Sequence, residues 1–399
     1  MVTRKYGTPT YVYDGDVALA KLAEVRHAFK GIEILFAFKA NPNPGLLRVF
    51  AHAGVGADVA SMGELRLALK AGFRPRDIVL GGPGKPASEL EEAVRVGVGA
   101  INVESDREIR LLADIGRRQG SKARVIIRVN TRHRPPIAGE LMAGGASRFG
   151  IDEEVVSKRL GRLKSRFVEY LGIHAHVASQ VLDANSLIAH YGKLAKIAKN
   201  ISAQLGFPLK VLNFGGGLGV PYGPKEHHLD LRKLGSRTSA VLASAFPATT
   251  CRPRFQLELG RYLVAECGLF LTEVLEVKCS RGKRFVITDS GINGLARPAM
   301  PWAQQHPCTL LARRKRSPTQ RCVVVGRTCL PSDVLCQSAR LPTPRPRDVI
   351  VVRNCGAYGY TMSMVLWASL TPPTEVLIAR GKVVEVRAGL CQSGGDGAS

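Results

Sequence analysis

The 399-residue sequence has no apolar run of the roughly 18 residues a membrane-spanning helix needs, so no membrane partner is expected. Cysteine is missing from everything before Cys251. All nine cysteines lie between Cys251 and Cys391, an odd number, and none shows Cys-x-x-Cys spacing. That argues against a disulfide framework and a zinc site, and it fits reduced thiols in a cytoplasm. The start, Met1-Val2-Thr3-Arg4-Lys5-Tyr6-Gly7, is basic but no apolar core follows it. No secretory signal is expected, and a cytoplasmic location is. Acidic residues are also scarce: 32 Asp and Glu against 57 Lys and Arg leave a net charge of +25. The bases are spread out apart from Arg313-Arg314-Lys315-Arg316, with no zinc-finger or RNA-binding signature beside them. A solvated basic surface is the plain reading, an acidic protein partner is a second, and a nucleic-acid binder is the remote one.

What is present points to a soluble globular chain of two domains. From about residue 30 to 260, short apolar runs alternate with helical patterns. The runs Glu33–Phe38, Gly56–Val59, Asp77–Leu80, Ala100–Val103, Arg124–Val129, Leu171–Val177, Lys210–Phe214 and Phe255–Glu258 predict strands. The stretches Gly45–His52, Ser61–Ala71, Ala87–Val96, Asp106–Gln119, Glu153–Leu163, Asp183–Leu205 and Asp230–Ala243 predict helices. Eight such repeats suit a closed (β/α)8 barrel better than an open sheet. After Arg261 the texture becomes mostly β, with strands expected at Leu269–Lys278, Arg284–Thr288, Cys322–Val325, Asp348–Val352 and Glu375–Ile378. The strand-like Thr10–Val12 is expected to join that sheet. The expected division is 1–28 (N-terminal strand and helix joining the β domain), 29–262 (barrel), 263–392 (β domain) and 393–399 (a disordered Gly/Ser-rich tail).

The unusual polar residues cluster just after the predicted strands: Lys39, then Asp58 and Ser61, Lys85, Arg128 and Asn130, His176, the turn Gly215-Gly216-Gly217, and Glu258 with Arg261. A barrel enzyme builds its site from those strand ends. Lys39, closing the apolar run Phe36-Ala37-Phe38, is either a desolvated nucleophilic amine or a lysine snorkelling to solvent. The glycine turn is either a phosphate cradle or simply a tight loop. Glu258 and Arg261 are a cofactor-facing pair or an ion pair on the rim. His174 and His176 alternate on one predicted strand and would face the same side. No third metal ligand accompanies them, so a ring stacked on a cofactor or a core histidine is the alternative, and no metal is expected. Ser61-Met62-Gly63-Glu64 is a capping box whose meaning is mainly structural.

Taken in order, Phe36–Asn41, Gly56–Leu65, Ser147–Gly150, His176–Gln180, Asn213–Gly219, Glu258–Arg261, Cys329–Leu335 and Gly356–Met362 span nearly the whole chain. In these segments the sequence resembles the fold-type III pyridoxal-5′-phosphate (PLP) decarboxylases, the group of the diaminopimelate, ornithine and arginine decarboxylases. The resemblance implies an alanine-racemase-like barrel, PLP carried by Lys39 as a Schiff base, and a homodimer with shared active sites. It implies that His176 stacks on the cofactor ring, that Glu258 faces its nitrogen, and that Ser179, Gly215, Gly216, Gly217, Arg261 and Tyr358 surround its phosphate. Asp58 and Arg128 are expected to complete the cofactor site. Cys329 would act from the second subunit as the proton donor after CO2 leaves. Arg261, Arg297, Leu330 and Tyr358 would meet the substrate.

Four positions depart from the family pattern. Leu330 replaces the acidic residue after the catalytic cysteine, Pro301 stands where the Arg-Pro-x-x-Tyr segment has its tyrosine, and Arg327 and Leu259 replace prolines. A distal ammonium buried against Leu330 would lack a partner. An amino acid without a second amine, or one tethered to an acidic carrier protein, is therefore the expected substrate. A true diaminopimelate decarboxylase, an amino-acid racemase and a non-catalytic PLP protein are the alternatives.

Overall fold

The computed structural model describes residues 2–133, 140–247, 252–300, 305–311 and 318–387. Pro301, the basic run Arg313–Arg316 and the expected tail at 393–399 lie outside these residues. The chain divides into two compact units, one of residues 19–220 and 227–263, the other of 1–18, 221–226 and 264–399.

The first unit is a barrel. Its parallel strands are β1 (Ile32–Ala37), β2 (Gly56–Val59), β3 (Ile78–Leu80), β4 (Ala100–Val103), β5 (Ala123–Asn130), β6 (Val168–His174), β7 (Val211–Asn213) and β8 (Arg254–Leu259). Each pairs with the next in sequence, and β8 pairs back with β1 through Phe255↔Ile32, so no edge is left open. Leu35, Val79, Ala100, Ile126, Leu171 and Val211 form one buried cluster, contributed by six strands. Strand side chains alternate, so two residues further on the same face carries Asn102 after Ala100, Arg128 after Ile126 and Asn213 after Val211. The interior is thus apolar toward the strand starts and polar toward their ends.

Helix ends follow local chemistry. The predicted capping box exists in altered form. Ser61 Oγ accepts from Glu64 N at 3.2 Å, but Glu64 Oε2 reaches back one residue further, accepting from Ala60 N at 2.7 Å. Gly72 closes the same helix in the left-handed region (φ +95°), where a side chain would be strained. Two predicted elements change. The helix expected over Glu153–Leu163 is only Val156–Leu160, with no side-chain cap at its start. Strand β6 runs earlier than expected and stops at His174.

The second unit holds a nine-stranded sheet. Thr10–Asp14 lies between Gly268–Ser280, to which it is antiparallel, and Thr374–Ala379, to which it is parallel. The N-terminal strand therefore completes the sheet. Tyr11 and Tyr13 on it are fully buried, and Tyr11 packs on Phe270 at 5.0 Å between ring centres. Residues 19–28 group with the barrel, and 221–226 group with the β unit, where the Tyr222 ring packs edge-on to His306 at 4.7 Å. The division is more interleaved than two cuts at 28 and 262. Cys308–Leu311, Val334–Pro342 and Lys382–Arg387 are strands the sequence reading lacked.

Candidate active site

Lys39 stands in a single 3-10 turn, Phe38–Ala40, immediately after β1. Its Nζ donates to Asp58 Oδ2 at 2.6 Å, at the end of the neighbouring β2. The setting lies between the two readings of this lysine: its side chain is 47% exposed and its neighbour is a buried carboxylate. The strand buries its preceding phenylalanines, but the lysine lies past the strand end, where the barrel mouth opens. Burial, then the nearby Glu258 charge, push Asp58 above its ordinary value, while Lys39 pulls it down.

Glu258, near the end of β8, is the most heavily held group. Its Oε1 accepts from Asn213 Nδ2 at 2.8 Å and from Asn102 Nδ2 at 3.4 Å, and its Oε2 lies 3.1 Å from His174 Nε2. The His174 contact has ion-pair distance without hydrogen-bond alignment. Burial alone would raise the Glu258 carboxyl. His174 and Lys39 outweigh it and hold the group well below the usual carboxylate range. The result is a buried carboxylate that stays ionised, suited to face a cationic ring nitrogen. Asn102 and Asn213 had no assigned role in the sequence reading. Their signal was available: each is a polar residue on the inward face, two positions beyond a core residue.

His176 does not share a strand with His174, because β6 ends at His174 and the chain then turns. The same-side argument for the two rings is corrected accordingly. His176 Nδ1 accepts from Gly216 N at 2.9 Å, which assigns the proton of the neutral ring to Nε2. Burial, Lys39 and Arg128 push its pKa down to about 3. Next to it, Gly215 N donates to Asn213 Oδ1 at 2.9 Å. A Cβ on Gly216 would overlap the Glu258 carbonyl, and one on Gly217 (φ +109°) would crowd the Ala178 carbonyl. The glycines thus let three strand ends meet in direct backbone contact. Two of their N–H groups serve Asn213 and His176 rather than facing outward.

Ser179 and Arg261 come together across the ends of β6 and β8, with Arg261 Nη2 donating to Ser179 Oγ at 3.4 Å. Arg128 is spent differently from Arg261. It pairs with Glu104 at 2.7 Å and stacks over Phe149 at 4.7 Å, while Glu104 also accepts from Gly150 N. Lys85 is a buried tie, bonded to the Gly82 and Asn102 carbonyls and 3.0 Å from Glu108. The set fits PLP: an amine for the aldehyde, an ionised carboxylate for the ring nitrogen, a neutral imidazole, and the Ser179–Arg261 pair beside a glycine turn too tight for any side chain.

The remaining predicted residues belong to the β unit. Cys329 is exposed in the turn between Thr319–Val325 and Val334–Pro342, and Leu330 follows it, half-buried. Arg297 is buried, with Nη1 2.9 Å from His306 Nε2 and its guanidinium 4.1 Å over the Tyr222 ring. Tyr358 takes a left-handed backbone (φ +56°), uncommon for a bulky residue and a mark of a constrained site. Among the described residues, no three His, Cys, Asp or Glu side chains gather as a metal site.

Comparison with known proteins agrees with this geometry. Residues 17–265 match the family described as pyridoxal-dependent decarboxylase, pyridoxal binding domain. An L-glutamyl-[BtrI acyl-carrier protein] decarboxylase of Niallia circulans is 33% identical over 97% of this chain and 92% of its own. A diaminopimelate decarboxylase of Helicobacter pylori is 37% identical over 89% of this chain and 87% of its own. The crystal structure of diaminopimelate decarboxylase from Helicobacter pylori complexed with L-lysine superposes with a TM-score of 0.86 at 33% identity, covering 97% and 94% of the two chains.

Proposed function

We propose, for a chain that belongs to the pyridoxal-dependent decarboxylase family, that its substrate is an amino acid without a distal amine, presented as a glutamyl group on an acidic carrier protein. The general activity, PLP-dependent decarboxylation of an amino acid, follows from that membership. The substrate class rests on one observation, that Leu330 and not an acidic residue follows Cys329. A leucine there cannot pair with a distal ammonium, and leaving such a charge unpaired costs several kcal/mol. The glutamyl-carrier activity in the name of the Niallia circulans relative and the net charge of +25 support the same reading. A basic surface steers an acidic partner and speeds its encounter at low salt.

The residue roles we propose follow from their settings. PLP, when bound, supplies a ring that accepts the electron pair of the breaking Cα–carboxylate bond. Lys39 Nζ would hold the cofactor and return to Asp58 when displaced. Glu258, fixed by Asn102, Asn213 and His174, would keep a proton on the ring nitrogen. His176, neutral and anchored to Gly216 N, would offer a flat face without adding charge. Ser179, Gly217 and Arg261 would hold the phosphate, with Arg128 supporting this end through Glu104. Arg297 and Tyr358 would bind the substrate, and Cys329 Sγ would give the final proton, from a second copy of the chain in a homodimer. The measurement is CO2 release with product mass spectrometry over free glutamate, diaminopimelate, ornithine and a glutamyl carrier protein. Release confined to diaminopimelate would replace this reading with the second one, which the 37% identity to a diaminopimelate decarboxylase favours. Equal amounts of inactive Lys39→Ala protein and slowed Cys329→Ser protein should on mixing exceed the sum of their separate activities if sites are shared, and should not exceed it if they are not.

A further inference from the structure

The turn that carries Cys329 is fastened from one buried side chain. Asp333 is 3% exposed, and both its carboxylate oxygens are used. Oδ2 accepts from Thr328 N at 2.9 Å, one residue before Cys329, and Oδ1 accepts from Ile292 N at 2.7 Å in a separate loop. The main chain of Asp333 closes the same turn. Its N–H donates to Leu330 O at 3.0 Å, and its carbonyl accepts from Gly326 N at 3.1 Å. Gly291 and Gly326 are bare for a reason: a Cβ on either would overlap the Asp333 carboxylate. The loop anchored at Ile292 is itself fixed, with Ser290 Oγ and Gly291 N both donating to Asn293 Oδ1. An exposed thiol thus sits on a turn held through one residue, its carboxylate fixing Thr328 and the Ile292 loop and its main chain closing onto Gly326 and Leu330.

We infer that Asp333 is a positioning residue for Cys329, setting where the thiol can deliver its proton. The inference rests on Cys329 being the proton donor. A carboxylate suits the task because it can accept at both oxygens. An asparagine has one accepting oxygen, so its NH2 would have to face one of the two N–H donors. Asp333→Asn should therefore release either the Thr328 or the Ile292 end, keeping size while losing placement.

The test uses PLP-loaded full-length protein and the fastest substrate of the panel above, glutamyl carrier protein in our reading. Asp333→Asn should lower kcat roughly ten- to a hundredfold with KM within about twofold, the loss expected when a reacting group is misplaced by about an ångström. In the Cys329→Ser background the same change should shift kcat less than about twofold, because the residue it positions is gone. A merely structural role would lower kcat in both backgrounds and raise KM. Should the asparagine variant not fold, Asp333→Glu keeps the charge and displaces the turn by one methylene, with the same expected split. If Cys329→Ser alone keeps full kcat, the proton-donor premise fails. If Cys329→Ser is slow while Asp333 variants retain wild-type kcat, the premise stands and the positioning role is overturned.

Discussion

The two mouths of the barrel use the same residue types in opposite ways. At the strand starts lies a cavity of about 300 Å3, lined by Arg26, Arg74, Arg76, Arg254, Glu33 and Asp77 among others. Its charges sit in solvent: Arg254 pairs with Glu33 at 3.2 Å with side chains 60% and 43% exposed, and Arg74 pairs with Asp77 with side chains 65% and 34% exposed. At the strand ends the Asp58 and Glu258 carboxylates are 5% and 6% exposed, and each is displaced from its ordinary titration range. Below, Arg74 and Arg254 each answer one carboxylate, and Arg26 donates to the Ala53 and Gly54 carbonyls. Above, two carboxylates share one lysine, two histidines and two asparagines. Buried carboxylates displaced from their ordinary range gather at the strand-end mouth, which marks it as the candidate site.

The sharpest way to break this contrast is at Lys39. Lys39→Ala should reduce decarboxylation to background and abolish the pyridoxyl mass that borohydride fixes on the peptide containing residue 39. A labelled peptide elsewhere would move the cofactor off this lysine. Next is Glu258→Gln, which keeps shape but removes the charge. Losing one such preorganised electrostatic partner should cost about 10²–10³ in kcat. It also leaves His174 beside an amide, so steady-state kinetics should be read alongside urea melts. Unchanged kcat would mean the buried carboxylate is structural.

Acid should find the catalytic mouth first. His176 has its pKa pushed from 6.5 to about 3 by burial and by Lys39 and Arg128. In the unfolded chain it takes up its proton near 6.5, and in the folded chain only near 3. Between those values the unfolded state binds more protons. The contribution is therefore complete above about 6.5 and is lost progressively as pH falls toward 3, by a few kcal/mol at most. His190, buried in the helix Ala184–Leu205, is also pushed to about 3 and adds to the same slope. Urea unfolding from pH 7 to 4 should show a shallower slope in His176→Asn than in the unchanged protein. Identical slopes would mean the imidazole titrates normally.

Much of this contrast was legible before any coordinates. Two of the eight barrel strands, β2 and β4, have the predicted bounds residue for residue, because each is a short run with one polar residue set between clear helical patterns. The strand-end clustering of Lys39, Asp58, His176, Glu258 and Arg261 was visible as polar residues ending apolar runs. What stayed hidden depends on third partners. Asn102 and Asn213 look like ordinary strand residues until the barrel closes and puts both against Glu258. The half-open setting of Lys39 could not be read from its apolar neighbours, since burial of Phe36 and Phe38 says nothing about the next side chain. Lys382–Arg387 was missed because five of its six residues are exposed, on both faces together, leaving no buried alternation to detect.

The smallest effect should come from the other mouth, and it is the most informative control. Arg254 and Glu33 lie on paired strands β8 and β1, the same two that carry Glu258 and lead to Lys39, but at their opposite ends. Glu33 Oε2 also accepts from Gln256 Nε2 at 2.8 Å, so removing Arg254 leaves the carboxylate a partner as well as water. An exposed pair of this kind contributes about 0.2–1 kcal/mol, screened further by salt. Arg254→Ala should lower the melting temperature only slightly, less so at high salt, and leave kcat and KM unchanged. If kcat fell more than about twofold, strain would be passing along β8 to Glu258, and the two mouths could not be treated as separate designs.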